Sequence, residues 1–226
     1  CLSRGLGDVY KRQISGYAEL IETGIAKPED VPGFAQKIHV EASRMIQLVN
    51  DILQLSHLDS VSETHAQPDM ETVDLLDVAK DCVERQKLNA QRSFISLTYL
   101  GESARVLGNR DQLDELCQNL CDNAIRYNRP GGTVTLQCGT NDEGHPFLAV
   151  ADTGIGIAPE EQGKVFERFY RVDKSRSKAR GGTGLGLAIV KHAALYHHAT
   201  LDLSSELGVG TTITVTFPIQ QDEPFA

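Results

Sequence analysis

A run of glycines leading into an apolar helix is the feature that most limits how this 226-residue chain can fold. Four glycines fall within residues 181–186, where a backbone without Cβ atoms can turn tightly and approach a ligand closely. Leu185, Ile189 and Val190 then begin an apolar pattern with helical spacing. A glycine turn at a helix N-terminus directs unpaired N–H groups to one place, which suits a polyphosphate. The alternative is a tight connection that binds nothing.

The overall composition argues against several other classes of protein. With 40% apolar and 23% charged residues, the sequence has the balance of an ordinary globular protein. The net charge of -9 argues against a surface that binds nucleic acid or an anionic membrane. No apolar run approaches the roughly 18 residues of a membrane-spanning helix, and no apolar signal segment begins the chain. Five cysteines without a C-x-x-C pair fit reduced cytosolic thiols better than disulfides or a zinc site.

Residues 14–60 have the pattern of a helical hairpin. Apolar residues recur at helical spacing over residues 14–25 and about 32–60, with Gly24 at the end of the first helix. In the second helix they follow steps of four and three, as in a helical bundle, and a second row makes this face wider than one helix can cover. We therefore expect the hairpin of a second chain to complete a four-helix bundle; the alternative is packing on its own domain alone. The rows are Ile38, Ala42, Met45, Val49 and Ile52, and Phe34, Ile46, Leu53 and Leu55.

The chain divides into two predicted domains with irregular segments around them. Residues 1–13 show no clear periodicity, and the chain does not begin with Met, so we expect a non-native or truncated edge there. The hairpin covers residues 14–60. A polar stretch without periodicity, residues 61–72, predicts a linker. The second domain covers residues 73–220, and residues 221–226 form a tail.

The second domain has the pattern of an α+β fold. Helices are expected over about residues 75–90, 111–127 and 185–196, among strands that are mostly linked as hairpins. Such a mixture predicts a two-layer sandwich of a mixed sheet on helices. Residues 153–183 have little regular pattern, and a structureless connection of this length in a compact domain indicates function. Strands are expected near residues 94–100, 105–107, 133–138, 147–152, 201–204 and 211–217.

Three polar residues share one face of the helix predicted at residues 111–127. Asn119, Asn123 and Arg126 fall at i, i+4 and i+7. Asparagine is unfavourable inside a helix, so two of them on one face need a reason. Their amide oxygens are hard neutral ligands suited to Mg²⁺, while the cation of Arg126 and the hydroxyl of Tyr127 could meet phosphate oxygens. The alternative is a solvated helix face.

A carboxylate, Asp152, stands at the end of an apolar strand, with Gly154 and Gly156 after it. A carboxylate in this place can accept a hydrogen bond from adenine N6, and it would repel guanine O6. The glycines let the backbone pass close beneath a flat base. Taken alone, the pattern also fits a simple turn.

An aromatic and basic segment lies within the irregular stretch that follows. Phe166, Phe169 and Arg171 belong to it, and basic residues continue beyond them. In an acidic chain this local positive charge favours anion binding over a solvated face. We expect a mobile lid that its aromatic side chains anchor and whose cations reach a polyphosphate. The later basic residues are Lys174, Arg176, Lys178 and Arg180.

Together these motifs resemble the ATP-binding domain of bacterial sensor histidine kinases. Their superfamily also includes type II topoisomerases, mismatch-repair ATPases and a chaperone family. Each motif alone is weak, but their order and distances make the set highly specific. The resemblance covers nearly the whole chain from Ile14, and residues 169–176 look most like those of phosphate-responsive sensor kinases. The motifs are Asn119…Asn123, Asp152-x-Gly-x-Gly, Phe166-x-x-Phe169 and Gly182-x-Gly-x-Gly.

The resemblance implies a role for each polar residue. Asn119 and Asn123 match Mg²⁺ ligands, with Asn123 foremost. Arg126 and Tyr127 match the basic residue and the tyrosine that border the nucleotide. Asp152 matches the carboxylate that recognises adenine. The implied cofactors are therefore ATP and Mg²⁺.

The glycines and the aromatic residues are implied to enclose the nucleotide. Gly154 and Gly156 match glycines that line the base. Phe166, Phe169 and Arg171 match the lid. The end of the lid that wraps the phosphates comprises Gly182, Thr183, Gly184, Leu185 and Gly186.

The resemblance also implies a phosphoacceptor histidine in the first helix, and here the sequence departs from the family pattern. The position of that histidine falls near Gly5, and no histidine of the chain stands in the expected motif. Without an imidazole nucleophile no phosphohistidine forms, so we expect self-phosphorylation to be absent. The seven histidines are His39, His57, His65, His145, His192, His197 and His198.

The sequence thus predicts the core of a protein histidine kinase, which passes the γ-phosphoryl of ATP to a histidine and then to a response regulator. The expected partners are a second copy, through residues 14–60, and a receiver domain, with no nucleic acid. This part would be cytoplasmic, and the full-length protein would reach the plasma membrane through upstream segments. Two alternatives remain: an ATP hydrolase of the same superfamily, and a dimerisation module that holds nucleotide without catalysis.

Overall fold

The fold consists of a helical hairpin followed by an α+β sandwich. The structure, a computed structural model, describes residues 2–64, 70–172 and 182–219, with the side chains of residues 2–6 and 54–64 left aside. The tail at residues 221–226 is outside this range. Within these residues, no helix is both long and apolar enough to cross a membrane.

The hairpin pairs two long helices, α1 (Leu2–Glu22) and α2 (Val31–Thr64). The turn between them contains Gly24 at a φ of +71°, a left-handed conformation that glycine adopts without strain. Near this turn the rings of Tyr17 and Phe34 stack with their centroids 5.6 Å apart. The aromatic pair therefore closes the hairpin at its turn.

Helix α1 begins earlier than the sequence predicted. We expected no helix before residue 14, but α1 extends back to Leu2. Tyr10 explains the extension, because it is only 9% exposed and packs with Leu48, Leu185 and Ile189. This packing joins three distant segments, and a periodicity test along one helix does not detect it.

The sandwich is built on a five-stranded mixed sheet. Its spatial order is β2-β4-β5-β7-β6, in which β2 and β4 are parallel and the other neighbours are antiparallel. A separate antiparallel pair joins β1 to β3. The sequence missed β1 because it has four residues and only Val73 among them is buried. The strands are β1 (Glu71–Asp74), β2 (Ser96–Gly101), β3 (Arg105–Gly108), β4 (Thr133–Thr140), β5 (Pro146–Asp152), β6 (Thr200–Glu206) and β7 (Gly210–Thr216).

Helices pack on this sheet and complete its core. Side-chain caps begin two of them: Asp74 Oδ1 accepts a hydrogen bond from the Leu76 N–H at 2.9 Å, and Asn109 Oδ1 accepts one from the Gln112 N–H at 3.0 Å. Large side chains of helices and strands share one continuous core, which confirms the predicted two-layer α+β sandwich. The helices are α3 (Leu75–Arg92), α4 (Arg110–Arg126), the single turn α5 (Pro159–Gln162) and α6 (Gly186–Tyr196).

The predicted linker is partly regular. Helix α2 continues to Thr64 and β1 begins at Glu71, so both ends of the stretch 61–72 belong to secondary structure. Residues 65–69 lie outside the described part. The domain boundaries themselves stay a prediction.

A buried imidazole, His197, joins the end of α6 to the start of α4. It is 2% exposed, and its Nε2 accepts a hydrogen bond from the Asn109 N–H at 3.1 Å. The other nitrogen, Nδ1, therefore carries the proton and donates to the Ala193 carbonyl at 2.7 Å. Burial lowers the pKa of His197 below 6.5, the Ala193 contact opposes this, and His198 adds to the lowering. The site thus favours the neutral ring.

This neutral ring predicts a loss of stability in mild acid. The unfolded chain takes up a proton at residue 197 near pH 6.5, whereas the folded chain does so only at its lower pKa. The free energy of unfolding should therefore fall as the pH drops through 6.5 towards that lower pKa. Urea denaturation at pH 7.5 and 5.5 should show a larger loss for the wild type than for His197→Gln.

The matched control is His39→Gln on the exposed side of α2. It should keep the pH dependence of the wild type. An equal loss in the free energy of unfolding between pH 7.5 and 5.5 for the wild type and His197→Gln would contradict the assignment.

Candidate functional site

A cavity of about 930 Å³ lies between α4, the end of β5 and the glycine segment before α6. This volume is within the range of small-molecule and cofactor sites. Side chains and glycines from segments distant in sequence meet there. Eleven of the fifteen predicted site residues line it: Asn119, Asn123, Arg126, Tyr127, Asp152, Gly156, Arg171, Gly182, Thr183, Gly184 and Gly186.

The other four predicted residues support the wall of the cavity. Leu185 is fully buried, and Phe169 donates its N–H to the Gly184 carbonyl at 2.8 Å. Phe166 packs against the main core. A Cβ at Gly154 would lie 2.5 Å from the Tyr127 carbonyl oxygen. These residues hold the loops in place, and their contact with a nucleotide stays a prediction.

One end of the cavity has a single carboxylate in an apolar recess. Asp152 Oδ1 accepts a hydrogen bond from the Gly154 N–H at 2.7 Å. Burial raises the pKa of Asp152, and the N–H groups of Gly154 and Thr211 oppose that change. Val150, Ile155, Ile157, Val165, Leu187 and Ile213 supply apolar surface to the cavity. A hydrogen-bond acceptor beside apolar walls suits a flat base with an exocyclic amine.

The loop after Asp152 fits closely against the turn between β6 and β7. Gly156 has a φ of +67°, and a Cβ there would lie 2.0 Å from the Glu206 carbonyl oxygen. Arg129 ties the two segments together, because its guanidinium donates to the carbonyls of Gly154, at 2.9 Å, and Gly208. The sequence did not single out Arg129, since an arginine in a Gly/Pro turn is usually solvated.

The opposite end of the cavity carries the two amides of α4. Asn119 Nδ2 donates to the Glu115 carbonyl at 3.0 Å. Its Oδ1 faces the start of α6, where a Cβ at Gly186 would lie 2.9 Å from it. A larger residue at position 186 would push the Asn119 side chain out of this place. Arg126 pairs with Asp122 at 2.6 Å and lies beside Gly182.

Arg171 brings two unpaired hydrogen-bond donors to the cavity. Its Nε and Nη2 are inaccessible to solvent and have no hydrogen-bond partner among the described residues. Buried donors without acceptors are costly unless a ligand supplies them, so these two nitrogens fit an anion. The predicted cations Lys174, Arg176, Lys178 and Arg180 lie outside the described residues.

The hairpin also reaches the cavity, which the sequence did not predict. Asp51 of α2 is 5% exposed, and its Oδ2 accepts a hydrogen bond from the Thr183 hydroxyl at 2.5 Å. Its Oδ1 accepts one from the amide of Gln47 at 2.7 Å. A signal was present, because Asp51 interrupts an apolar face between Leu48 and Ile52.

A metal ion in this cavity would depend on amide oxygens. Within the described part of the chain, no group of three or more His, Cys, Asp or Glu side chains could hold a metal. Asn119 and Asn123 offer neutral oxygen ligands, which fit Mg²⁺ when a phosphate completes its shell.

Comparison with known families identifies two domains. The family of histidine kinase-, DNA gyrase B- and HSP90-like ATPases matches residues 108–221. The His Kinase A (phospho-acceptor) domain matches residues 12–61. We had expected the phosphoacceptor to be missing, and the presence of this domain does not support that expectation. The predicted absence of self-phosphorylation is therefore withdrawn.

Two named relatives are similar to this chain over most of its length. The sensor-like histidine kinase SenX3 of Mycolicibacterium smegmatis is 40% identical over 210 residues, which are 92% of this chain and 54% of that protein. The sensor protein SrrB of Staphylococcus aureus is 35% identical over 207 residues, 91% of this chain and 35% of that protein. The chain thus spans about half or less of the length of these relatives.

Solved structures agree with the fold. The mycobacterial sensor histidine kinase MprB has a TM-score of 0.57 at 34% identity, over 66% of this chain and 97% of that one. The histidine kinase AdeS of Acinetobacter baumannii has a TM-score of 0.73 at 21% identity, over 94% of this chain and 96% of that one. The predicted resemblance to sensor histidine kinases is confirmed.

The close fit of Gly156 generates a prediction on stability. Alanine at Gly156 adds backbone strain and a Cβ that overlaps the Glu206 carbonyl, so Gly156→Ala should cost roughly 3 kcal/mol or more. Gly131 also has a positive φ, +83°, but open space around it, so Gly131→Ala should cost only about 1 kcal/mol. Urea denaturation measures both; equal costs would contradict the packing argument.

Proposed function

Because the chain belongs to the family of histidine kinase-, DNA gyrase B- and HSP90-like ATPases, we propose that it is the nucleotide-binding kinase core of a sensor histidine kinase. The core binds ATP with Mg²⁺ and passes the γ-phosphoryl to a histidine, from which a response-regulator receiver domain takes it. One observation carries the proposal: a single cavity joins the carboxylate of Asp152, the amides of α4 and the two unpaired donors of Arg171.

Asp152 selects adenine at the apolar end of the cavity. One of its oxygens is already held by the Gly154 N–H, which fixes the direction of the carboxylate. The other oxygen can accept a hydrogen bond from the N6 amine, while guanine would present an oxygen there and be repelled. The tight loop around Gly156 keeps the backbone flat below the base.

Asn123 and Asn119 would hold Mg²⁺ at the opposite end. When bound, Mg²⁺ neutralises charge on the phosphate oxygens and orients them. Arg171 supplies donors to the phosphates, and Arg126, already held by Asp122, adds a second positive charge. Thr183 and the glycines of residues 182–186 approach the phosphates from the start of α6.

The chain assists phosphoryl transfer mainly by position and charge. The transferred group needs an in-line nucleophile and neutralisation of its equatorial oxygens, while the protein itself does little covalent chemistry. The lid residues Phe166 and Phe169 anchor the segment that covers the phosphates and excludes water. We expect this core to work in the cytoplasm, linked to a membrane-bound sensor in the full-length protein.

The hairpin dimerises through an apolar stripe on α2. Ile46, Val49 and Leu53 are 62%, 47% and 62% exposed although they follow helical spacing. The other apolar faces of α2 pack on α1 and on α6. An exposed stripe of this kind favours a second hairpin as its partner, which supports a four-helix bundle.

Removal of the Asp152 carboxylate tests the nucleotide site. Asp152→Ala should weaken the binding of ATP by roughly 30-fold or more, because the adenine amine loses its charged acceptor in an apolar recess. Equilibrium binding of a fluorescent ATP analogue measures the loss.

Asp202→Ala is the matched control, since Asp202 is an exposed aspartate on β6 and does not line the cavity. It should bind like the wild type. Unchanged affinity in a folded Asp152→Ala variant would refute the adenine site.

Charges on the α2 stripe test the dimer. The double variant Ile46→Asp with Val49→Asp should raise the dimer dissociation constant at least about 100-fold, because both protomers lose apolar burial. Sedimentation velocity measures the change. Gln36→Asp, an exposed polar position of α2, is the control. A double variant that dimerises like this control would contradict the assignment.

A further inference from the structure

Asp51 introduces a negative charge from the hairpin into the nucleotide cavity. We propose that this carboxylate makes hairpin docking and triphosphate binding compete, so that Asp51 discriminates nucleotides by the charge of their phosphates. The inference rests on the proposed function, because it assumes that the cavity binds a nucleotide. It adds a specificity-determining residue outside the ATP-binding domain.

The contact of Asp51 lies at the phosphate end of the cavity. Its partner, the hydroxyl of Thr183, stands between the glycines before α6, and Thr183 Oγ1 also accepts a weak hydrogen bond from the Leu185 N–H at 3.3 Å. A phosphate oxygen approaching this segment would be a natural acceptor for the same hydroxyl proton. The carboxylate already occupies that donor. Asp51 therefore takes the place of an anionic ligand group.

The surrounding charges strengthen this competition. No ion pair within the described residues includes Asp51; its partners are the neutral Thr183 and Gln47. Glu115 lines the same cavity, and its pKa is raised first by burial and then by the charge of Asp51. Its Oε1 is buried and has no hydrogen-bond partner in the described part of the structure. Two carboxyl groups thus face the place where further negative charge would enter.

The docked state rests on a small contact that a ligand can displace. Leu48 and Tyr10 of the hairpin are buried against Leu185 and Ile189, with Ile52 and Phe169 at the edge. Like charges in a partly buried site repel strongly, because water screens them poorly. A triphosphate therefore favours release of Asp51 from Thr183. Adenosine carries no phosphate, so the docked hairpin tolerates it.

The variant Asp51→Asn isolates the charge. Asparagine keeps the size of the side chain and an oxygen for Thr183, and rotation of the Gln47 amide satisfies the new NH₂ group. Because one close negative charge is lost, we expect the affinity for a non-hydrolysable ATP analogue to rise about tenfold. The affinity for adenosine should not change. Calorimetric titration of both ligands gives the ratio.

Glu29→Gln is the matched control on the hairpin. It removes one negative charge from a carboxylate whose side chain is 78% exposed in the hairpin turn, and it should leave both affinities unchanged. A folded Asp51→Asn variant with the wild-type ratio of affinities would overturn the inference, while Asp152→Ala would still test the proposed function. If neither adenosine nor the ATP analogue binds the wild type, the result contradicts the proposed function instead.

Hydrogen exchange on the wild type tests the same idea without a variant. The ATP analogue should raise the exchange of amides near residues 47–53 of α2, whereas adenosine should not. Equal exchange with both ligands, while both are bound, would overturn the inference even if Asp51→Asn fails to fold.

Discussion

The burial of one face of α4 is the constraint on which the rest of the site depends. Leu113, Leu116 and Leu120 are at most 2% exposed and anchor the helix in the core. Because residues four apart share a face, Asn119 and Asn123 point the same way, and the burial of the leucine face turns both towards the cavity. A hydrogen bond from Asn119 Nδ2 to the Glu115 carbonyl then holds the first amide in place. The core therefore sets the direction of the amides, and the hydrophobic effect that stabilises the domain also orients its polar site.

Close approach of backbones is the second constraint, and it explains the glycines better than flexibility does. Gly186 lets α6 start against the Asn119 amide, and Gly156 lets the base loop touch the Glu206 carbonyl. At both places a Cβ would overlap another atom. Arg129 then joins the base loop to the β6–β7 turn. The site is thus a junction of separate loops that meet because small residues leave room.

The spacing of apolar residues along the sequence predicted most of the fold, since amphipathic helices and alternating strands each have a characteristic period. It also predicted eleven residues that line the cavity, because motif order carries that information. The sequence did not predict contacts between segments that are distant along the chain. Tyr10 belongs to α1 through packing on Leu185, and Asp51 joins the cavity through the Thr183 hydroxyl. Neither partner is visible in the spacing of its own helix, so only the assembled tertiary structure reveals these roles.

The contact between Asp51 and Thr183 links the position of the hairpin to the occupant of the cavity. Linkage is reciprocal: if a triphosphate weakens docking by some factor, docking weakens triphosphate binding by the same factor. A ligand shifts this equilibrium only through a difference in its affinity for the two arrangements. Charge on the phosphates supplies such a difference, because Asp51 faces the cavity, beside Glu115 of α4, only where the hairpin is docked against Thr183. Contacts at the adenine end of the cavity contribute to affinity equally whether the hairpin is docked or released.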